Sequence, residues 1–333
     1  MTMNEHRPEY SLVVPLYNEE ETLPELLRRL GALLAELDGE AEVIFVDDGS
    51  TDRSYEVVAA ARERDPRFKL LRLSRNFGHQ IAVTAGLDAA AGDAVIVMDA
   101  DLQDPPEVAL QMAARWREGY DVVYAVRQER RGETRFKRAT ATAFYRVFRR
   151  MTDVDVPIDV GDFRLVDRRA LDAFRSMRET NRYVRGMFSW IGFRQVGVPF
   201  RREERFAGET KYPLGKMLKF ATDGIVSFSS EPLRLALKVG FVVSGLSFLL
   251  GVVFLISKIA GFYSIPGLAS IAVFVAFLGG IQLLLLGIMG EYIARIHDEV
   301  KGRPLYLISE AQGLSSPPLA DPTVVTEESP GVR

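Results

Sequence analysis

The chain has 333 residues, 42 Lys and Arg against 45 Asp and Glu, and a net charge of −3, which excludes the strongly basic balance of a nucleic-acid-binding protein. It has no cysteine, so disulfides, thiolate catalysis and Cys-ligated zinc are excluded. Three scattered histidines do not make a His-based metal centre, so metal chemistry here must use oxygen ligands, which points to Mg2+ or Mn2+.

Residues 1–9 are polar and charged, without the apolar run of a signal peptide, and the N-terminal part is expected in the cytoplasm. Strands are predicted at 10–14, 42–46, 69–73, 94–98 and 121–125. They are rich in Val, Ile and Leu with little alternation, as strands covered on both faces should be. Helices are predicted between them at 20–37, 54–64, 79–91 and 106–117. This alternation predicts a Rossmann-like α/β domain with a mainly parallel sheet, in which ligands bind beyond the carboxyl ends of the strands.

Three polar segments sit at those ends. The first is Val14-Pro15-Leu16-Tyr17-Asn18-Glu19-Glu20. Tyr17 offers a face for a nucleobase and Glu19 can hold a hydroxyl; the plainer reading is a helix N-terminus with favourable acids. The second is Val46-Asp47-Asp48-Gly49-Ser50-Thr51-Asp52. Gly49 allows a tight turn and Ser50 or Thr51 is expected to cap the next helix. Asp47 is placed to accept hydrogen bonds from a base or ribose. The third, Val97-Met98-Asp99-Ala100-Asp101-Leu102-Gln103-Asp104, delivers two carboxylates one residue apart at a strand end. Burying both is costly unless a cation sits beside them, and a divalent ion that also bridges two phosphates removes the conflict. Asp101 is the better direct ligand, Gln103 a further carbonyl ligand, and Asp99 binds the ion or the ribose. The plainer reading is an acid pair in a turn.

Residues 127–232 read as less regular. The stretch 127–150 carries nine Lys/Arg against two Glu, with Phe136, Ala139, Ala143 and Val147, and Met151 just beyond, at helical spacing. Its basic face is either simply solvated or turned to anionic lipid. Residues 216–232 read as a helix lying at an interface. Residues 239–257 hold no charge over 19 positions, about 29 Å of helix at ~1.5 Å per residue. Residues 259–290 hold none over 32, interrupted by Pro266 and Gly267, which leaves 268–289 as a second membrane span. Arg234 and Lys238 precede the first span, Arg295, Lys301 and Arg303 follow the second, and Lys258 stands alone between them. That bias puts both ends in the cytoplasm. Gly279-Gly280, Gly287 and Gly290 predict close helix packing, consistent with a homo-oligomer. The tail after Glu310, rich in Pro, Ser and acid, is expected to be disordered.

Taken together these motifs resemble the family 2 inverting glycosyltransferases with the GT-A fold. Ser74-Arg75-Asn76-Phe77-Gly78-His79-Gln80, the run 99–106, Gly161-Asp162-Phe163-Arg164 and Ala207-Gly208-Glu209-Thr210-Lys211-Tyr212-Pro213 are similar to its polyprenyl-phosphate branch. That branch includes dolichyl-phosphate mannose synthase and the bactoprenol glucosyltransferases. The similarity runs from about 10 to 306, and Gly290-Glu291-Tyr292 with the paired spans favours the bactoprenol type.

The resemblance implies a cytosolic catalytic domain over 1–215, a juxtamembrane helix over 216–235, two transmembrane helices over 236–290 and a cytosolic segment over 291–333. It implies that Pro15, Tyr17, Glu19 and Asp47 hold the nucleoside, and that Asp99, Asp101 and Gln103 surround the metal and diphosphate. Asp162 matches the acid assigned as catalytic, and Arg127, Arg131, Arg201, Arg205 and Lys211 lie where cations gather for phosphates. The implied donor is UDP-glucose, with GDP-mannose, UDP-N-acetylglucosamine and an aminoarabinose donor open. The implied acceptor is undecaprenyl phosphate, and the implied assembly a tetramer. A phosphate nucleophile is already ionised near neutral pH, so Asp162 is less needed as a base. It then positions a sugar hydroxyl, orients Arg164, or is a simple turn acid. His79, at a helix start, has a role near the nucleotide as its sharper reading; Trp116 and Trp190 read as packing.

Three rival readings are weaker. A processive polysaccharide synthase would carry a Gln-x-x-Arg-Trp motif and more spans. A non-catalytic scaffold would not keep the full set of acids. A nucleotidyltransferase would show a glycine-rich loop near the first strand, and residues 14–20 contain no glycine.

Overall fold

The computed structural model describes residues 7–128, 160–203, 229, 231–260 and 268–314. In its first half β1 (Tyr10–Leu16), β2 (Ala41–Asp47), β3 (Phe68–Leu73), β4 (Ala94–Val97) and β5 (Val122–Arg127) alternate with α1 (Leu23–Glu36), α2 (Ser54–Arg64), α3 (His79–Ala89) and α4 (Val108–Arg117). All seven residues of β1 are buried, as its uninterrupted apolar run requires of a strand covered on both faces. The chain continues through β6 (Val160–Asp167), α5 (Arg168–Ser176), α6 (Val184–Trp190), β7 (Gln195–Phe200), α7 (Glu231–Ile259), α8 (Leu268–Val300) and β8 (Ile308–Gln312).

The strands form one sheet in the order β7-β5-β6-β4-β1-β2-β3-β8. β1 pairs in parallel with β2 and β4, β2 with β3, and β5 with β7. β6 runs antiparallel to β4 and β5, and β8 antiparallel to β3. Successive side chains divide between two cores. Leu12, Val14, Val43 and Phe45 pack with Leu26 and Leu30 of α1, while Val13, Ile44 and Val46 pack on the other face with Phe174, Phe188 and Tyr306. Each fully buried side chain of this kind stabilises the fold by roughly 1.5–3 kcal/mol.

Several expectations need correction. α1 begins at Leu23, because the backbone N–H groups of Thr22 and Leu23 both bond the Glu19 carbonyl in a turn ahead of the helix. Neither Ser50 nor Thr51 caps α2, whose N-cap is Arg53 with no side-chain cap. The stretch expected to be irregular contains β6, α5, α6 and β7. β6 escapes a pattern search because Asp162 and Arg164 interrupt it, yet both are buried. The tail expected to be disordered after Glu310 continues in β8 to Gln312, so part of the 291–333 segment belongs to the eight-stranded sheet. The basic stretch beyond residue 128, the motif at 207–213 and the tail from 315 lie outside the described residues, as does the interfacial helix expected at 216–232 apart from Ser229 and its last two residues, which open α7.

α7 and α8 are of a different kind. Their apolar windows, Glu231–Val253 and Phe277–Val300, have mean hydropathies of 2.0 and 1.6, and none of either is buried inside the protein. Phe241, Phe248, Leu283 and Leu284 are exposed. A core helix of a soluble protein would bury such residues, and so large an apolar surface calls for an apolar surrounding. Both helices are long enough to cross a bilayer.

Candidate active site

The loops leaving β1 and β2 are laced together at the carboxyl edge of the sheet. The Asn18 backbone N–H donates to Ser50 Oγ at 3.0 Å, and that of Glu19 to Ser54 Oγ at 2.8 Å. The Thr51 N–H returns a bond to Asn18 Oδ1 at 2.8 Å. The hydroxyls expected to cap α2 are thus spent holding the neighbouring loop. Pro15 is buried within β1 opposite Val46, whereas Tyr17 is 45% exposed at the strand's end. The Glu19 carboxylate accepts the Thr22 hydroxyl at 2.8 Å.

The two aspartates ending β2 do different work. Asp47 is fully buried, accepting the Ser50 N–H at 2.9 Å and pairing with Arg72 at 3.2 Å. Asp48 accepts the N–H groups of Phe77 at 2.7 Å and Gly78 at 2.9 Å, which clasps the segment 74–78 against β2 and sets the start of α3. Gly49, the residue after Asp48, has φ +69°, and a Cβ there would lie 2.6 Å from the Arg75 carbonyl carbon. Only glycine fits that turn.

Beyond β4 the chain turns through Asp99, Asp101 and Leu102. Leu102 (φ +59°) and Asn18 (φ +56°) are the only non-glycine residues with positive φ among those described, and each lies in a site loop. Asp101 Oδ1 accepts the Gln103 N–H at 3.1 Å, while the Gln103 backbone carbonyl accepts the Glu203 N–H at 3.0 Å. Asp99 Oδ1 is buried with no hydrogen-bond partner, and so are both carboxylate oxygens of Asp104. Burial pushes the Asp99 carboxyl up; His79 opposes this, and Asp162 and Asp101 add to it. Burial, then the Asp99 charge, pushes Asp104 up to about 7. Among the described residues no three acidic or histidine side chains close on one point as a complete metal cage would, but the buried Asp99 and Asp104 oxygens without hydrogen-bond partners are the hard donors that Mg2+ or Mn2+ takes.

β6 brings Asp162 beside this turn, because it pairs with β4 in antiparallel register from Ala94 to Val97. The Asp162 carboxylate meets Arg185 Nε at 2.8 Å and Nη2 at 3.3 Å, His79 Nε2 at 3.1 Å and Gln80 Nε2 at 3.4 Å. His79 Nε2 also lies 3.6 Å from Asp99 Oδ1. Burial works against the Asp162 charge, yet Arg185 and His79 hold its carboxyl well below the usual range. Burial likewise opposes charge on His79, but the Asp162 bond and the Asp99 and Asp162 charges outweigh it and push the imidazole up to about 9. Arg164 is not held by this carboxylate. Its guanidinium bonds the carbonyls of Gly161 and Asp162 and lies 4.9 Å over the Phe188 ring.

Of the expected cations, Arg127 ends β5 beside Gly161 and Asp104, and Arg201 is exposed after β7 in a segment tied to the Gln103 carbonyl. Arg131, Arg205 and Lys211 lie outside the described residues. The structure therefore gathers Asp99, Asp101, Asp162 and Arg127 in one region and encloses Asp47 and Pro15 in the sheet. Sequence reasoning missed Arg185, Gln80 and Asp104. Arg185 stands 23 residues beyond Asp162, and only the fold brings them together.

A mostly parallel sheet whose central strands end in acidic turns gives the chain a GT-A-like α/β architecture. Residues 11–175 match the model of glycosyl transferase family 2. The uncharacterized glycosyltransferase YkcC of Bacillus subtilis is 51% identical over 308 residues, covering 92% of this chain and 95% of its own. The uncharacterized glycosyltransferase sll0501 of Synechocystis is 46% identical, covering 93% and 98%. The SfII prophage-derived bactoprenol glucosyl transferase of Shigella flexneri is 39% identical, covering 90% and 97%. The chain belongs to glycosyl transferase family 2 and is a glycosyltransferase.

Proposed function

We propose that this enzyme transfers glucose from UDP-glucose, with inversion, to undecaprenyl phosphate at the cytoplasmic face of a membrane, using Mg2+ or Mn2+. The observation that carries the reading is the meeting of Asp99, Asp101, Asp162 and Arg185 at the end of the central strand β4, with an Asp99 oxygen buried and without a hydrogen-bond partner. The lipid acceptor is supported by full-length similarity to a bactoprenol glucosyl transferase and by two exposed apolar helices.

In this reading Tyr17 and Glu19 face the nucleoside, while Asp47 and Pro15 shape the floor beneath it. Asp99 and Asp101, with Gln103 beside them, hold the divalent ion, which when bound neutralises the donor diphosphate. Arg127 and Arg201, with Arg131, Arg205 and Lys211, lower the repulsion between the two anionic substrates. An acceptor phosphate oxygen forms a bond to the anomeric carbon as the bond from that carbon to the β-phosphate oxygen breaks. The electron pair leaves with the nucleoside diphosphate, and an α-linked donor yields a β-linked product. The nucleophile is ionised at neutral pH (second pKa roughly 6), so no proton has to be removed. α7 and α8 cross the bilayer with both chain ends in the cytoplasm, and the enzyme works as a homo-oligomer.

The test is to incubate the full-length protein with undecaprenyl phosphate, Mg2+ or Mn2+ and each of several radiolabelled nucleotide-sugars. Label from UDP-glucose should enter the lipid phase. Label from GDP-mannose, UDP-N-acetylglucosamine or an aminoarabinose donor instead would reassign the donor. Label that stays aqueous throughout would refute lipid glycosylation.

A further inference from the structure

Asp162 occupies the place where a proton acceptor would be sought, but its surroundings suit a different task. Its side chain is 4% exposed and both oxygens are engaged: Oδ1 by Arg185 Nε, Oδ2 by Arg185 Nη2, His79 and Gln80. Little acceptor capacity remains for an incoming proton or hydroxyl. Arg185 is in the opposite condition. It spends its Nε–Nη2 edge on Asp162 and keeps 27% of its side chain exposed. Its Nη1 has no hydrogen-bond partner among the described residues. A guanidinium fixed along one edge presents a second edge, between its two terminal nitrogens, as a rigid fork of N–H donors. That fork stands beside Asp99 and within the field of Arg127, where negative charge has to be received.

We propose that Arg185 binds a phosphate group of the reacting substrates, and that Asp162 is the positioning residue that aims it. The proposal rests on the glycosyl-transfer reading given above and adds the residue that meets the phosphate. Two phosphates share this chemistry: the donor's β-phosphate, which gains charge as the sugar departs, and the acceptor's monoester. His79 and Gln80 complete the Asp162 shell. Gln80 ties that shell to α6, because its Oε1 accepts the Val184 N–H at 2.9 Å, one residue before Arg185.

The test uses the full-length protein in lipid nanodiscs, with UDP and undecaprenyl phosphate titrated separately and turnover of UDP-glucose followed in parallel. Arg185→Ala should weaken one of the two ligands by about 10- to 100-fold, the loss expected for charge-assisted hydrogen bonds. Weaker UDP binding assigns the donor phosphate, and weaker lipid binding assigns the acceptor phosphate. Added guanidinium should restore part of the loss in Arg185→Ala, and Arg185→Lys, which keeps charge without the fork, should fall between. Asp162→Asn should resemble Arg185→Ala, and the double variant should be little worse than either. Unchanged affinity for both ligands in a folded Arg185→Ala variant, with turnover intact, would overturn the proposal. So would an Asp162→Asn variant that loses kcat alone, with a loss that multiplies with that of Arg185→Ala. A wild type that binds UDP without any turnover would sink the functional reading while leaving the Arg185 binding comparison to be read on its own.

Discussion

The Tyr306 hydroxyl donates to the Asp88 carboxylate at 2.8 Å, joining two buried side chains 218 positions apart. Arg178 holds the same carboxylate at 2.8 and 3.0 Å. The Thr180 N–H donates to Glu299 at the end of α8, and β8 then pairs with β3. The chain leaving the second apolar helix is therefore fastened to the catalytic domain at three successive points. Tyr306→Phe would remove a donor from an enclosed carboxylate. It should destabilise the protein by about 1–3 kcal/mol, read as a lower Tm in detergent. An unchanged Tm would remove this bond from the supports of the fold.

The same pair predicts a pH dependence. Burial, then the Asp88 charge, pushes the Tyr306 phenol above its ordinary value of about 10. The folded state thus keeps the phenolic proton more tightly than the unfolded chain does. The resulting stabilisation is complete below pH ~10 and is lost as pH rises through and beyond that value. The stability gap between wild type and Tyr306→Phe should therefore be constant near neutrality and shrink above pH ~10. A gap that stayed constant well into the alkaline range would contradict this.

A chain ending before α7 would lose β8 and Tyr306 together. The edge of β3 would then be open to pairing with other copies. Such a fragment should aggregate on size-exclusion chromatography, and supplying residues 303–314 on a flexible linker should restore a single species. A monodisperse fragment without them would show that β8 is dispensable.

Asp101→Asn should lower sugar transfer by roughly 100-fold or more with little change in Tm, because it removes a metal-binding charge while the amide oxygen can still accept the Gln103 N–H. Chelation should silence the wild type, and Mn2+ should revive it but not the variant. Near-normal, metal-dependent turnover in Asp101→Asn would show that the ion is held elsewhere.

Gly49→Ala forces a Cβ against the backbone of Arg75 and Asn76 at a φ of +69°. The expected cost is about 1–3 kcal/mol of local strain. Because the adjoining Asp48 clasps Phe77 and Gly78, UDP should bind more weakly as well. Titration with UDP and a thermal melt check both effects, and wild-type values in both would show that the turn adapts.

The alternation of β1 to β5 with α1 to α4 was legible because each strand is an apolar run and each end is marked by a polar turn. The two long apolar helices were legible for a similar reason, since uniform apolarity over that length is a property of the chain alone. β6 was not legible, because its Asp162 and Arg164 are tolerated in the interior only through partners from α3, α6 and neighbouring carbonyls. β8 was hidden as well: Ile-Ser-Glu-Ala-Gln has no strand-like run and becomes a strand only where β3 offers an open edge.

What the sequence determined by itself was the set of acids at the carboxyl edge of the sheet, because local patterning puts a turn after each strand. The tertiary structure alone decided which charges meet there. It enclosed Asp47 with Arg72 and set Asp162 against Arg185 and His79. The physical reason is that charge pairing depends on distance in space. Antiparallel β6 and the short helix α6 bring to within 3 Å of each other groups that the chain keeps 23 residues apart.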